Sequence, residues 1–188
     1  MRLVRRPRNL GDRRSIQVCM KSGPRVSQRT CDRKSIRLAG YNYRSAGIYY
    51  VTIGSHDRTP RFGRVEDDAT ITLAPAGEVV QRVWRSLPER YPYVALHGDI
   101  VMPDHLHGLL EIREIDSHPI DARKPLGSLI GAYKSMATNA VRALSPGSNE
   151  EVWQRGFYQH ILRDEASLAQ IQRYIQANPA RWIERRRG

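Results

Sequence analysis

The sequence predicts an α+β domain: an antiparallel sheet with helices on one face and a further helix toward the C-terminus. Short runs rich in β-branched and aromatic residues alternate with longer runs whose apolar residues recur at helical spacing. Two of the strand-like runs are separated only by Pro103-Asp104, close enough to pair antiparallel. The resulting order, β-α-β-β-α-β-α, is that of the split βαβ, or ferredoxin-like, plan.

Gly47-Ile48-Tyr49-Tyr50-Val51-Thr52-Ile53 is bounded by glycines and reads as a buried strand. A turn-rich stretch follows, carrying Asp57, Pro60, Gly63 and the acidic run Glu66-Asp67-Asp68, and a short strand is expected at 70–73. Pro75 suits the first turn of a helix, whose apolar stripe is Val79, Val80, Val83, Trp84 and Leu87; Pro88 and Pro92 are expected to end it. Tyr93 to Leu96 and Ile100 to Met102 read as one strand, bulged near Gly98, and His105 to Ile112 as the next. After a polar loop at 116–124, Leu126, Leu129, Ile130, Tyr133, Met136 and Val141 mark a second long helix. Residues 145–150 are loop and Phe157 to Leu162 is a strand. Asp164 is a good N-cap for a last helix that carries Leu168, Ile171 and Ile175 inward, until Asn178-Pro179 ends or kinks it.

Charge divides the chain. Of 188 residues, 31 are Lys or Arg and 19 are Asp or Glu, a net +12. Residues 1–40 alone hold twelve of the basic and two of the acidic side chains, so the remainder is only slightly basic. Residues 1–33 read as a basic flexible arm suited to a polyanion, or simply solvated, and 34–188 as the folded domain. Two cysteines, Cys19 and Cys31, cannot make a disulfide framework, and no apolar run reaches the length of a membrane span. A reduced cytoplasm is the simplest compartment, with no membrane partner.

Two small patterns carry chemistry. In a strand, residues i and i+2 share a face, so His105 and His107 can meet one divalent cation while Leu106 points into the opposite layer. The pattern by itself fits equally well two surface histidines with hydrogen-bonding roles. On the last helix, Tyr174 and Asn178 are four apart and share a face. A phenol there could be a nucleophile and the amide oxygen a ligand to a hard cation. Taken alone, a half-buried core tyrosine and a helix-stopping asparagine explain the pair as well.

Together, Val101-Met102-Pro103-Asp104-His105-Leu106-His107-Gly108, Trp153-Gln154-Arg155-Gly156-Phe157-Tyr158 and Tyr174-Ile175-Gln176-Ala177-Asn178-Pro179 resemble the HUH (His, bulky hydrophobic, His) single-tyrosine transposases. Residues 33–38 and 49–53 resemble that family's approach to its first strand. The likeness covers residues 33–183 or so and is greatest to the REP-associated tyrosine transposases. It implies a catalytic domain that cleaves and rejoins single-stranded DNA, often beside a hairpin, in a bacterial cytoplasm, as monomer or homodimer. It also implies His105 and His107 as ligands of Mg²⁺ or Mn²⁺, Asn178 as the third ligand (a glutamine in some relatives), and Tyr174 as nucleophile, five residues before the proline of Asn-Pro.

Elementary chemistry agrees with that assignment. A phenol with a pKa of about 10 is a weak nucleophile at neutral pH, and a phosphodiester repels anions. A hard cation on the non-bridging oxygens reduces the repulsion. Imidazoles, an amide oxygen and waters suit Mg²⁺ or Mn²⁺, and neither cysteine is near enough in sequence to suggest a closed zinc site. A 5′-phosphotyrosine would conserve the bond energy for rejoining.

Other residues have plainer readings. Tyr158 and His160 are expected to pack or to satisfy hydrogen bonds, His56, His97 and His118 to be solvated, and Trp84, Trp153 and Trp182 to be core. Arg33, Lys34 and Arg37, with Tyr41 and Tyr43, mix cations and aromatics as single-strand binders do, and form a candidate DNA-binding group. Two rival functions remain: a non-catalytic binder of hairpin or single-stranded nucleic acid, and a small metal-dependent hydrolase in which the histidines activate water.

Overall fold

A computed structural model describes residues 40–187. The arm assigned to residues 1–33 and the side chains of Arg33, Lys34 and Arg37 lie outside the described residues.

The main sheet has four strands: β1 (Gly47–Gly54), β4 (Val94–Met102), β5 (His105–Ile112) and β6 (Tyr158–Leu162). Their order is β4-β5-β1-β6 and every neighbouring pair is antiparallel. This is the split βαβ arrangement, with β5 inserted between β1 and β4. The hairpin β4-β5 turns at Pro103-Asp104, and its register shifts between Leu96 and Gly98, where Gly98 takes φ +145°. A bulge there needs a residue free of Cβ strain.

Between β1 and β4 lie two short strands, β2 (Gly63–Val65) and β3 (Ile71–Leu73), paired with each other. Only β3 is expected from the sequence; β2 is hidden in turn-forming composition and exists through its partner. Helix α1 (Pro75–Arg85) ends at Ser86, before Pro88, and a one-turn helix α2 (Leu87–Arg90) follows. α1 thus ends before Pro88, as expected, and Pro88 also opens α2, because a first-turn proline forfeits no hydrogen bond. Helix α3 (Leu126–Arg142) runs as expected, and α4 (Glu165–Gln176) ends before Asn178-Pro179, as expected; the further helix α5 (Asn178–Arg187), with Pro179 in its first turn, is not foreseen in the sequence. The Asp164 carboxylate caps α4, accepting from the Ser167 amide at 2.7 Å.

The period-2 alternation of the strands sorts residues onto two faces. Tyr49, Val51 and Ile53 of β1 and Leu106, Leu110 and Ile112 of β5 join α1 and α3 in the main core, around Trp84, Leu129, Ile130 and Tyr133. Gly108 belongs to this face for a steric reason: a Cβ there would lie 2.3 Å from the Trp84 ring. On the other face, Tyr50, Leu109 and Leu162 form a smaller apolar cluster with Leu168, Ile171, Tyr174 and Ile175 of α4. The expected two-helix layer thus covers one face, and the C-terminal helix covers the other.

Candidate active site

The alternation that buries Leu106 under Trp84 turns His105 and His107 to the α4 side. Both imidazoles are buried, and their Nε2 atoms are 2.9 Å apart. At that separation two facing lone pairs repel, so a proton or a cation has to lie between them.

Each ring is braced from behind. The Asp104 carboxylate accepts a hydrogen bond from Nδ1 of His105. Nδ1 of His107 lies 2.7 Å from the Tyr50 hydroxyl and 2.8 Å from that of Thr52, which itself donates to the Tyr50 oxygen at 3.2 Å. Placing the ring protons on both Nδ1 atoms satisfies these partners and leaves both Nε2 lone pairs free. Partners of this kind orient metal-ligating imidazoles. Burial first, and then His105 with the cations Arg58 and Arg185, holds His107 well below the usual imidazole range, which favours the neutral ligand form. Burial likewise pushes the Tyr50 phenol well up, so Tyr50 stays a neutral hydroxyl serving His107.

The geometry suits a small hard cation. Two ligand nitrogens about 2.1 Å from one ion and at right angles are separated by about 3 Å, close to the spacing of this pair. Among the described residues no cluster of three or more His, Cys, Asp or Glu side chains is arranged to hold a metal ion. Asn178, the first residue of α5, is buried and its amide Nδ2 has no hydrogen-bond partner, an exception among buried amides.

Tyr174 stands beside His107. Its ring centroid is 5.7 Å from that of His107 and 6.3 Å from that of Tyr50, edge-on to both. On its other side the Arg181 guanidinium lies 5.1 Å from the ring centre. From α5, Trp182 reaches to 6.1 Å from His105, so it borders the site and is not part of the main core. Trp84 and Trp153 are core, as expected. Tyr158 sits on the edge strand, 44% exposed, with its ring packed edge-on against Tyr50 at 6.2 Å. His160 lies beside it on the same face, opposite Tyr50.

Of the other histidines, His56 is paired with Asp57 and Glu151, His97 with Glu111, and His118 with Ser117. Tyr41 and Tyr43 pack against each other and against Tyr49, on the face opposite the imidazoles. They are therefore not part of the same constellation. The sequence reading missed Asp104, Tyr50, Thr52, Arg58 and Arg181. For Tyr50 and Thr52 the signal was present, since they alternate along β1 as the histidines do along β5. Seeing it required the register that sets Thr52 opposite His107.

No family model matches the chain. An uncharacterised protein of Haemophilus influenzae is 36% identical over 164 residues, spanning 80% of this chain and 89% of that protein. A second Haemophilus influenzae protein, provisionally named a REP-associated tyrosine transposase, is 25% identical over 152 residues, with 74% and 76% covered. The fold is similar to a solved REP-associated tyrosine transposase bound to a REP hairpin, at a TM-score of 0.56 and 17% identity, covering 79% of this chain and 73% of that one.

Proposed function

We propose that the chain is a REP-associated tyrosine transposase, as its similarity to such proteins suggests, and that it cuts and rejoins single-stranded DNA at hairpin-bearing sites through Tyr174. The observation that carries the reading is the approach of the Tyr174 ring to His107, whose Nε2 lies 2.9 Å from that of His105. The hairpin enters because the related solved protein was bound to one.

His105 and His107, with the Asn178 amide oxygen, would hold Mg²⁺ or Mn²⁺. Such a cation, when bound, supplies positive charge against the non-bridging phosphate oxygens. Tyr174 gives up its phenolic proton and its oxygen attacks phosphorus. A 5′-phosphotyrosine bond forms, the bond from phosphorus to the 3′ oxygen breaks, and that oxygen takes a proton to leave as a 3′-OH. A second 3′-OH reverses the exchange and joins strands without any other energy source. Asp104, Tyr50 and Thr52 fix the direction of the imidazoles throughout. Tyr50 is no rival nucleophile, because its hydroxyl is buried against His107.

The test is a covalent adduct assay with a labelled hairpin oligonucleotide and Mg²⁺ or Mn²⁺. Wild type and Tyr158→Phe form the adduct; Tyr174→Phe and the His105→Ala/His107→Ala double variant do not. An adduct that persists in Tyr174→Phe overturns the assignment of the nucleophile. Salt-sensitive binding with no adduct under any divalent ion would make the protein a binder only. Turnover that yields free termini and survives in Tyr174→Phe would make it a hydrolase.

A further inference from the structure

The cations around the histidine pair are the feature the chemistry above leaves unused. Arg58 comes from the loop after β1. Its guanidinium lies 3.6 Å from the Asp104 carboxylate that braces His105, and its side chain is half exposed. It is held there by unusual backbone: Asp57 and Arg58 both take positive φ, 50° and 56°. Two consecutive left-handed, non-glycine residues persist only where their surroundings over-determine them, and such strain gathers at functional sites. Arg181 and Arg185 come from α5, one helical turn apart on a shared face, with Arg185 Nε donating to the Arg181 carbonyl at 3.2 Å. Arg181 covers the ring of Tyr174. The field of Arg185, like that of Arg58, reaches His107.

Among the described residues no carboxylate pairs with Arg181 or Arg185, and Asp104 engages Arg58 only loosely. Like charges a turn apart oppose each other on a helix, and that opposition is relieved by an anion bound between them.

We propose that Arg58, Arg181 and Arg185 form a seat for the backbone phosphates of the DNA strand on either side of the cut, so that α5 is part of the active site and not a trailing extension. The proposal rests on the reading of the site given above, but it concerns binding and not cleavage. A planar guanidinium matches two phosphate oxygens at once, and arginines from two separate segments can hold a strand from both sides. The seat reads backbone, so it is indifferent to base sequence.

The test measures binding without chemistry. The full chain carrying Tyr174→Phe is titrated with a fluorescein-labelled single-stranded oligothymidylate in chelator at several salt concentrations. Removing a phosphate contact lowers the slope of log affinity against log salt by about 0.7 on single strands. Arg58→Gln, Arg181→Gln and Arg185→Gln each show that drop, and the corresponding lysine variants keep the slope. Arg82→Gln, an equal charge change on α1 across the sheet, leaves it unaltered. Melting curves identify any variant that fails to fold, in which case the lysine variant, or glutamine at another of the three positions, decides. The proposal is overturned if the three glutamine variants keep the full slope, or if Arg82→Gln lowers it equally. A slope that falls as expected while the wild-type chain forms no adduct leaves the phosphate seat standing and removes the cleavage reading instead.

Discussion

The two faces of the central sheet are built from the same strands to opposite specifications. On the α1/α3 face, β1 and β5 offer Tyr49, Val51, Ile53, Leu106 and Leu110, and the space is filled by Trp84 and Tyr133, whose rings meet edge-on at 5.2 Å. On the α4 face the alternate residues of those strands are Tyr50, Thr52, His105 and His107, and only a small apolar cluster secures the helix. One face spends its residues on close packing. The other keeps polar groups at low solvent exposure and satisfies them with one another. Stability and chemistry are thus separated by a single Cα along each strand, and substitutions should report which face they touch.

Tyr174→Phe makes the sharpest break. It abolishes the DNA adduct while shifting stability by no more than about 0.5 kcal/mol, since the ring and its packing remain. The adduct gel and a melting curve on the same sample check both halves. Trp84→Ala is the mirror case. It costs about 3–5 kcal/mol by opening a cavity in the main core, measured by urea denaturation, and any protein that remains folded still binds Mn²⁺.

Gly108→Ala, one residue from His107 but facing Trp84, costs about 1–3 kcal/mol through overpacking. Trp84→Leu should recover part of that loss, and denaturation of the two single variants and the double variant measures the coupling. Thr52→Val removes a brace of His107 and lowers Mn²⁺ affinity about tenfold by calorimetric titration, with little change in melting temperature.

The smallest effect is a pH dependence. His107 is held below its ordinary pKa in the folded protein, so the unfolded chain binds more protons just below the usual imidazole range. Its contribution to stability is present at pH 7 and is lost as pH falls from about 6.5 through the lower folded value. Metal-free protein should therefore unfold at lower urea concentration at pH 5 than at pH 7, and His107→Gln should flatten that difference. A pH response undiminished in His107→Gln would place the titrating group elsewhere.

How much of this could be read from the chain differs from residue to residue. His105, Leu106 and His107 announce their faces by local alternation. The Gly98 bulge and the Asp164 cap are equally local, and the turn at Pro103-Asp104 is set by proline. The prolines at 88 and 179 mark real helix ends, but the helices that begin at them, α2 and α5, were not legible, because whether the chain turns helical again depends on what the next turn packs against. β2 was not legible, since three residues of turn-like composition become a strand only when β3 is beside them. Trp182 looked like core because an apolar ring beside a charged helix carries no label of which wall it meets.

The sequence by itself determined the order of the four main-sheet strands and of α1, α3 and α4, the pairing of the two imidazoles on one face and the concentration of positive charge before residue 40. These depend on periodicity and composition, which act over a few residues. Tertiary structure decided that β1 lies against β5 so that Tyr50 and Thr52 brace His107. It also decided that α4 crosses the histidine face and that α5 brings Arg181 over the Tyr174 ring. The contacts of Tyr50, Thr52, His107 and Tyr174 join residues 55 to about 120 positions apart. Only the burial of both sheet faces selects them from the many pairings that local preference allows.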